Sequence, residues 1–202
     1  MRDLEDYSRN IRRLLVTLGP QKTAAFSAAC AERLMPLYRN FCEQHHWDAN
    51  AELEDALDST WDVLLQISPV DCLMPSLSQV ADLVPYPDDF ESGLITVAQN
   101  AVICIDVALR HLMGCDARLS VVPECALEAV ASVAPDRPPG TWRIRSAPPA
   151  PMVNTPMLPT VQQEIICQRR DIAVLIASTD VVEVVDEMRA RARKNAHGQR
   201  RM

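Results

Sequence analysis

Between Leu94 and Leu112 apolar residues return every three or four positions. Leu94, Val97, Ala98, Ala101, Val102, Ile105, Ala108, Leu109 and Leu112 form one stripe, and Ile95, Ile103 and Cys104 widen it. That period belongs to an α-helix, not a strand. A helix apolar over most of its circumference needs neighbours on several sides, so a segment from about Gly93 to Met113 is expected at the centre of a helical bundle.

The rest of the chain repeats the period. Phe26, Ala29, Cys30, Leu34, Leu37, Tyr38, Phe41 and Cys42 line a second helix, with Pro36 predicting a kink or a restart because it lacks an N–H. Leu53, Ala56, Leu57, Thr60 and Leu64 line a third, from about Glu52 to Ile67. Its opposite side carries Asp55, Asp58 and Asp62 at i, i+3 and i+7. A short helix around Leu77 and Val80 stops at "VPYP", and another spans about Pro123 to Val133. Helix resumes at Thr160 and continues or restarts at Asp180, where Asp180, Glu183 and Glu187 repeat the acidic spacing. Strand-like alternation is nearly absent. The expectation is an all-α chain, residues 1–202 forming a single compact multi-helix bundle. The proline-dense segment 134–159 is a long surface loop, since prolines at that density exclude a helix. Residues 195–202 form a flexible basic tail.

Twenty basic residues face 27 acidic ones, a net charge of −7. Arg189, Arg191, Arg193, Lys194, Arg200 and Arg201 fall in the last fourteen residues, which hold no acid, leaving residues 1–188 with 14 bases against 27 acids, or −13. An acidic body repels phosphate and suits a basic protein partner rather than nucleic acid. The basic end is read as a frayed helix terminus and a solvated tail. The opening "MRDLEDYSRNIRRLL" has no apolar core of signal-peptide type, and no uninterrupted apolar run approaches the ~20 residues of a membrane span. The seven cysteines, at 30, 42, 72, 104, 115, 125 and 167, are odd in number and widely spread. Reduced thiols in the cytoplasm fit that pattern better than a disulfide framework.

Three places invite a chemical reading. Cys30, Cys42, His45 and His46 are zinc-type ligands. Yet Cys30 and Cys42 are twelve residues apart, about 18 Å along a helix, so they are expected as core thiols with the histidines closing the helix end. Cys42 beside His45 is also the one thiol with a base within a turn, as a nucleophile requires. Glu32 and Arg33 on the stripe's flank read as an ion pair at a helix contact. Asp106, interrupting the central helix, is expected to be satisfied by a neighbouring arginine or a helix end. No Gly-rich phosphate loop or nucleophile elbow is present. No catalytic residue, metal or cofactor is assigned.

The run "AAFSAACAERLMPLYRNFCEQ" precedes an acidic helix with "WDVL". Later come "VPYPDDF", opening a helix that ends "VALRHL", and "TVQQEIICQRRDIAVL". Together these resemble the YjaG-like family of bacterial domains of unknown function, over most of the chain. The resemblance implies a compact, all-helical, cytoplasmic protein and supplies no activity or catalytic residues. The chain departs from the family in segment 134–159 and in "RIRS", which implies a divergent member with its own task.

By exclusion, the expected function is non-enzymatic binding of another protein, as bacterial immunity proteins neutralise cognate toxins whose clefts are basic. The expected contact residues are Asp55, Asp58, Asp62, Asp180, Glu183 and Glu187, with Trp142 and Arg143 from the proline-rich loop as anchors. An inward-tucked Trp142 closing the core is the other reading. The alternatives are a housekeeping helical adaptor or self-associating protein, and an enzyme or metal protein using Asp106, Glu32 or the Cys42 and His45 region.

Overall fold

The computed structural model describes residues 2–86, 93–115, 121–134 and 158–196. Within them eight α-helices follow one another: α1 (Arg2–Val16), α2 (Pro20–His45), α3 (Asn50–Leu64), α4 (Met74–Gln79), α5 (Gly93–Leu112), α6 (Val122–Ser132), α7 (Pro159–Ala177) and α8 (Val182–Lys194). Two 3-10 turns, Val70–Leu73 and Val80–Leu83, flank α4. No strand occurs among the described residues, so the fold is all-α as the periodicity requires.

Pro20, Pro123 and Pro159 each stand in a first helical turn, where the missing N–H has no intrahelical acceptor to lose. α2 runs unbroken through Pro36, so the restart considered there does not occur. Its end is set by the backbone: His46 turns left-handed (φ 52°, ψ 39°) and the Trp47 N–H donates to the Cys42 carbonyl at 3.0 Å.

The centre of the bundle is shared by α2 and α5. Every residue of α2 from Thr23 to Met35 is buried, and α5 buries Val97, Ala98, Ala101, Val102, Ile105, Ala108 and Leu109 against it. Alanines on both helices, among them Ala24, Ala28, Ala98 and Ala101, are short enough for the axes to approach closely. The sequence pattern places only α5 at the centre. α2 shares it, and the pattern hides this because the buried run of α2 includes Thr23, Ser27, Glu32 and Arg33, polar residues that blur the stripe.

The remaining helices wrap this pair. α3 and α8 lie on α2 and touch each other, α6 packs between α5 and α7, and α1 crosses α6 and α7. α1, which the charge alternation does not declare as a helix, inserts Tyr7, Ile11 and Leu15 at four-residue intervals. α5 is long and apolar enough to cross a membrane, although Gln99, Asn100 and Asp106 interrupt its apolar run. Most of it is buried by its neighbours here, the position of a core helix. Residues 135–157 and 197–202 lie outside the described residues. So do most of the predicted proline-rich loop and all of the predicted tail except Asn195 and Ala196.

Candidate functional site

Glu32 and Arg33 are adjacent on α2, and consecutive helical residues diverge by about 100°, so they reach different helices. Arg33 turns to α7. Its Nε and Nη2 donate to the two oxygens of Glu164 at 2.9 and 2.8 Å, its Nη1 donates to Asp171 at 2.7 Å, and Nη2 lies 3.4 Å from the Cys30 sulfur. The second Asp171 oxygen accepts from Arg191 of α8 at 3.1 Å, and Arg191 also meets Glu187 at 3.0 Å. Gln168 completes the network: its amide donates to Glu164 (3.0 Å) and to the Pro123 carbonyl (3.2 Å), while its carbonyl accepts the Tyr7 hydroxyl (2.6 Å). Glu164, Gln168 and Asp171 are all buried. Five helices, α1, α2, α6, α7 and α8, thus meet at one buried polar cluster.

Glu32 turns to α3 and α8. It accepts the Trp61 indole N–H at 2.8 Å and the Arg193 Nε at 2.9 Å, with Arg189 3.9 Å away. Arg189 and Arg193 both also reach Asp58, and the Arg189 guanidinium lies over the Trp61 ring at 5.8 Å. The reading of Glu32 and Arg33 as an ion pair at a helix contact therefore becomes two ion-pair sites with separate partners. The reading of Arg189, Arg191 and Arg193 as a solvated helix end is corrected. They dock α8 onto α2, α3 and α7, because the buried carboxylates of Glu32 and Asp171 and the exposed one of Asp58 meet them there.

The cluster's ionisation follows its geometry. Burial opposes the charge of Arg33, but Glu164, Cys30 and Asp171 outweigh it and hold its pKa well above the ordinary value. Burial pushes the Cys30 thiol well up, against the pull of Arg33, and raises the Tyr7 hydroxyl. Cys42 is likewise pushed up by burial, to about 11. That is the opposite of the depressed pKa a nucleophilic thiolate needs. All seven cysteines are free, with Cys72 and Cys115 exposed. Asp106 is held by the Arg110 Nε, 2.8 Å from both of its oxygens. Among the described residues no group of three His, Cys, Asp or Glu side chains is placed to hold a metal ion.

The two acidic ridges land on neighbouring helices but do not merge. Asp55 and Asp58 are exposed, and Asp62 is half-buried. Asp58 sits on the α3–α8 seam beneath Arg189 and Arg193. Asp180 precedes α8 and accepts the N–H of its first residue, Val182, at 3.0 Å. Glu183 and Glu187 are exposed, with Glu187 on the α7 side of α8 through Arg191. Glu52, Asp55, Glu183 and Asp186 are also exposed, and among the described residues no cation lies in ion-pair distance of them. Trp142 and Arg143 lie outside the described residues. Sequence reasoning missed the Arg33 cluster. Its one signal was Glu164, Gln168 and Asp171 at i, i+4 and i+7, a polar line inside the apolar stripe of α7.

These features define a helical bundle whose interior is cross-linked by charged side chains and whose α3–α8 flank is acidic. The chain belongs to the family described as "Protein of unknown function (DUF416)", which matches residues 10–197. Its fold is similar to that of a DUF416 family protein from Shewanella baltica OS155, solved by crystallography at 1.91 Å resolution. The TM-score is 0.68 at 19% identity, over 91% of this chain and 93% of that one. At that identity the likeness concerns the fold alone. No curated protein matches the chain.

Proposed function

We propose that this chain is a non-enzymatic protein-binding protein, an immunity protein that captures a cognate toxin with a basic cleft through its α3–α8 flank. The observation that carries the reading is the set Glu52, Asp55, Glu183 and Asp186, exposed on adjoining helices with no cation in ion-pair distance among the described residues. α8 brings three arginines, but they are turned to Glu32, Asp58 and Asp171, so they do not screen these four acids directly. An acidic surface of this kind speeds encounter with a basic cleft and occludes it. The same reading counts the chain among the YjaG-like members of its family, on the "CAERLMPLY" and "DDF" blocks, and assigns it to the cytoplasm.

The test is affinity capture from the native host with mass spectrometry, repeated with Glu52→Lys/Asp55→Lys and with Glu183→Lys/Asp186→Lys. All four positions are exposed, so circular dichroism is expected to be unchanged. Recovery of a basic toxin domain, weakened by either reversal and more so at low salt, is the expected result. Capture indifferent to both reversals and to salt removes the basis of the reading.

A further inference from the structure

We propose that the exposed turn after α3, carrying Ile67, Val70 and Met74, is a docking site for a basic amphipathic segment of another protein, beyond the acidic contact proposed for the α3–α8 flank. The turn departs from the usual way a helix ends. Gln66 turns left-handed at φ 58°, a strained conformation for a residue with a Cβ. Its N–H donates to the Val63 carbonyl at 3.0 Å, and the Ile67 N–H donates to the Asp62 carbonyl at 2.8 Å. That pair of bonds puts Ile67 where an apolar side chain ordinarily packs against the residue whose carbonyl it takes. Here that residue is Asp62, and Ile67 stays 68% exposed. Val70 and Met74 follow, in the 3-10 turn and at the start of α4, and are 39% and 54% exposed. Leu73 between them is fully buried and holds the turn on the core. Eight large apolar side chains are exposed among the described residues, and three of them fall within these eight positions. Scattered singly they would be ordinary, but grouped on a fixed base they mark a contact surface.

Charge selects the occupant. From Asn40 to Leu109 the chain holds thirteen acids and no lysine or arginine. Asp71 is exposed within the turn itself, Asp62 is half-buried at its root, and Asp82 is exposed on the 3-10 turn that follows α4. Among the described residues no cation lies in ion-pair distance of any of the three. On the helices packed against α3, Arg39, Arg110, Arg189 and Arg193 are each engaged by a carboxylate: Glu54, Asp106, Asp58 and Glu32. A partner that covers the apolar side chains and brings lysines or arginines to these aspartates is complementary on both counts. A second copy docking by the same turn would set aspartate against aspartate. An anionic bilayer would be repelled by them.

The probe is a fluorescent peptide of about 18 residues, five helical turns, with leucines at i, i+3, i+4 and i+7 and lysines between them. A scrambled peptide of the same composition and a glutamate-for-lysine version are the controls. Anisotropy at about 0.15 M salt is expected to show the amphipathic lysine peptide binding at least about tenfold more tightly than either control. Ile67→Gln/Met74→Gln is expected to weaken it at least about tenfold, and Asp71→Lys about two- to fivefold, less at high salt. Both apolar positions are exposed, so the double variant is expected to melt within about 2 °C of wild type. The Glu52→Lys/Asp55→Lys and Glu183→Lys/Asp186→Lys reversals are expected to change peptide binding by less than about twofold, so this site and the proposed toxin-binding flank succeed or fail separately. Four results overturn the proposal. One is an amphipathic lysine peptide that binds no better than the scrambled one, or whose binding is indifferent to Ile67→Gln/Met74→Gln. Another is a double variant that melts more than about 2 °C lower, the mark of side chains covered by the chain itself. The third is binding to phosphatidylcholine vesicles that the double variant loses, without peptide binding. The fourth is a dimer that the double variant dissociates.

Discussion

Replacing Arg33 by methionine keeps much of the side chain's volume and deletes the guanidinium that joins α2 to α7. The Arg33 side chain is 1% exposed and Glu164 fully buried. The substitution removes two hydrogen bonds to Glu164 and one to Asp171. Asp171 retains Arg191, and Glu164 retains the uncharged amide of Gln168. Breaking a buried pair from one side costs about 3–5 kcal/mol, because the remaining charge cannot return to water. A domain of this size shifts its midpoint by about 2–4 °C per kcal/mol, so the thermal midpoint followed by circular dichroism is expected to fall by about 6–20 °C. Adding Glu164→Gln replaces the carboxylate that faced the guanidinium while preserving shape and is expected to restore more than half of the loss. A variant melting within about 2 °C of wild type, or a double variant no better than the single, refutes the buried coupling.

Ile105 is fully buried on α5. Ile105→Ala is expected to cost about 2–5 kcal/mol by urea titration, and Val102→Asp to abolish cooperative unfolding. Titration with a chromogenic disulfide reagent is expected to find Cys72 and Cys115 reacting at once and the five buried thiols only on unfolding. Cys42 adds an alkaline sign. Its folded pKa, about 11, exceeds the ordinary 9.0. Its stabilisation is therefore complete below about pH 9 and lost as pH rises towards about 11, because the unfolded thiol ionises first. Cys42→Ala is expected to flatten that limb of the stability profile. Gly114 holds φ at +68°, and the space a methyl group would take there is open, with nothing within 4 Å. Gly114→Ala is therefore expected to cost about 1 kcal/mol from backbone strain alone, read by the same urea titration.

Much of the secondary structure was legible in the one-dimensional pattern. The stripe of α5 predicted Gly93–Met113 against an observed Gly93–Leu112, because helical periodicity is a local property carried by neighbouring turns. Asp106 with Arg110 was equally legible, being an i, i+4 pair. α1 was not, since only Tyr7, Ile11 and Leu15 mark its buried side among charges. The buried charge cluster was beyond reach for a different reason: Arg33 meets partners 131 and 138 positions away. No local spacing encodes a contact that exists only after α7 has folded back onto α2.

The C-terminal arginines divide the two kinds of information most clearly. The sequence by itself determined a helix there, with cations in its last turns where the helix dipole favours them. Their alternation at 189, 191 and 193 spreads three guanidinium groups around the helix, which in isolation is the signature of a solvated end. Only the tertiary structure decided otherwise, by carrying Glu32, Asp58 and Asp171 from three other helices to meet them. Charge is written in the chain residue by residue, but its burial depends on which carboxylates the packed helices bring alongside.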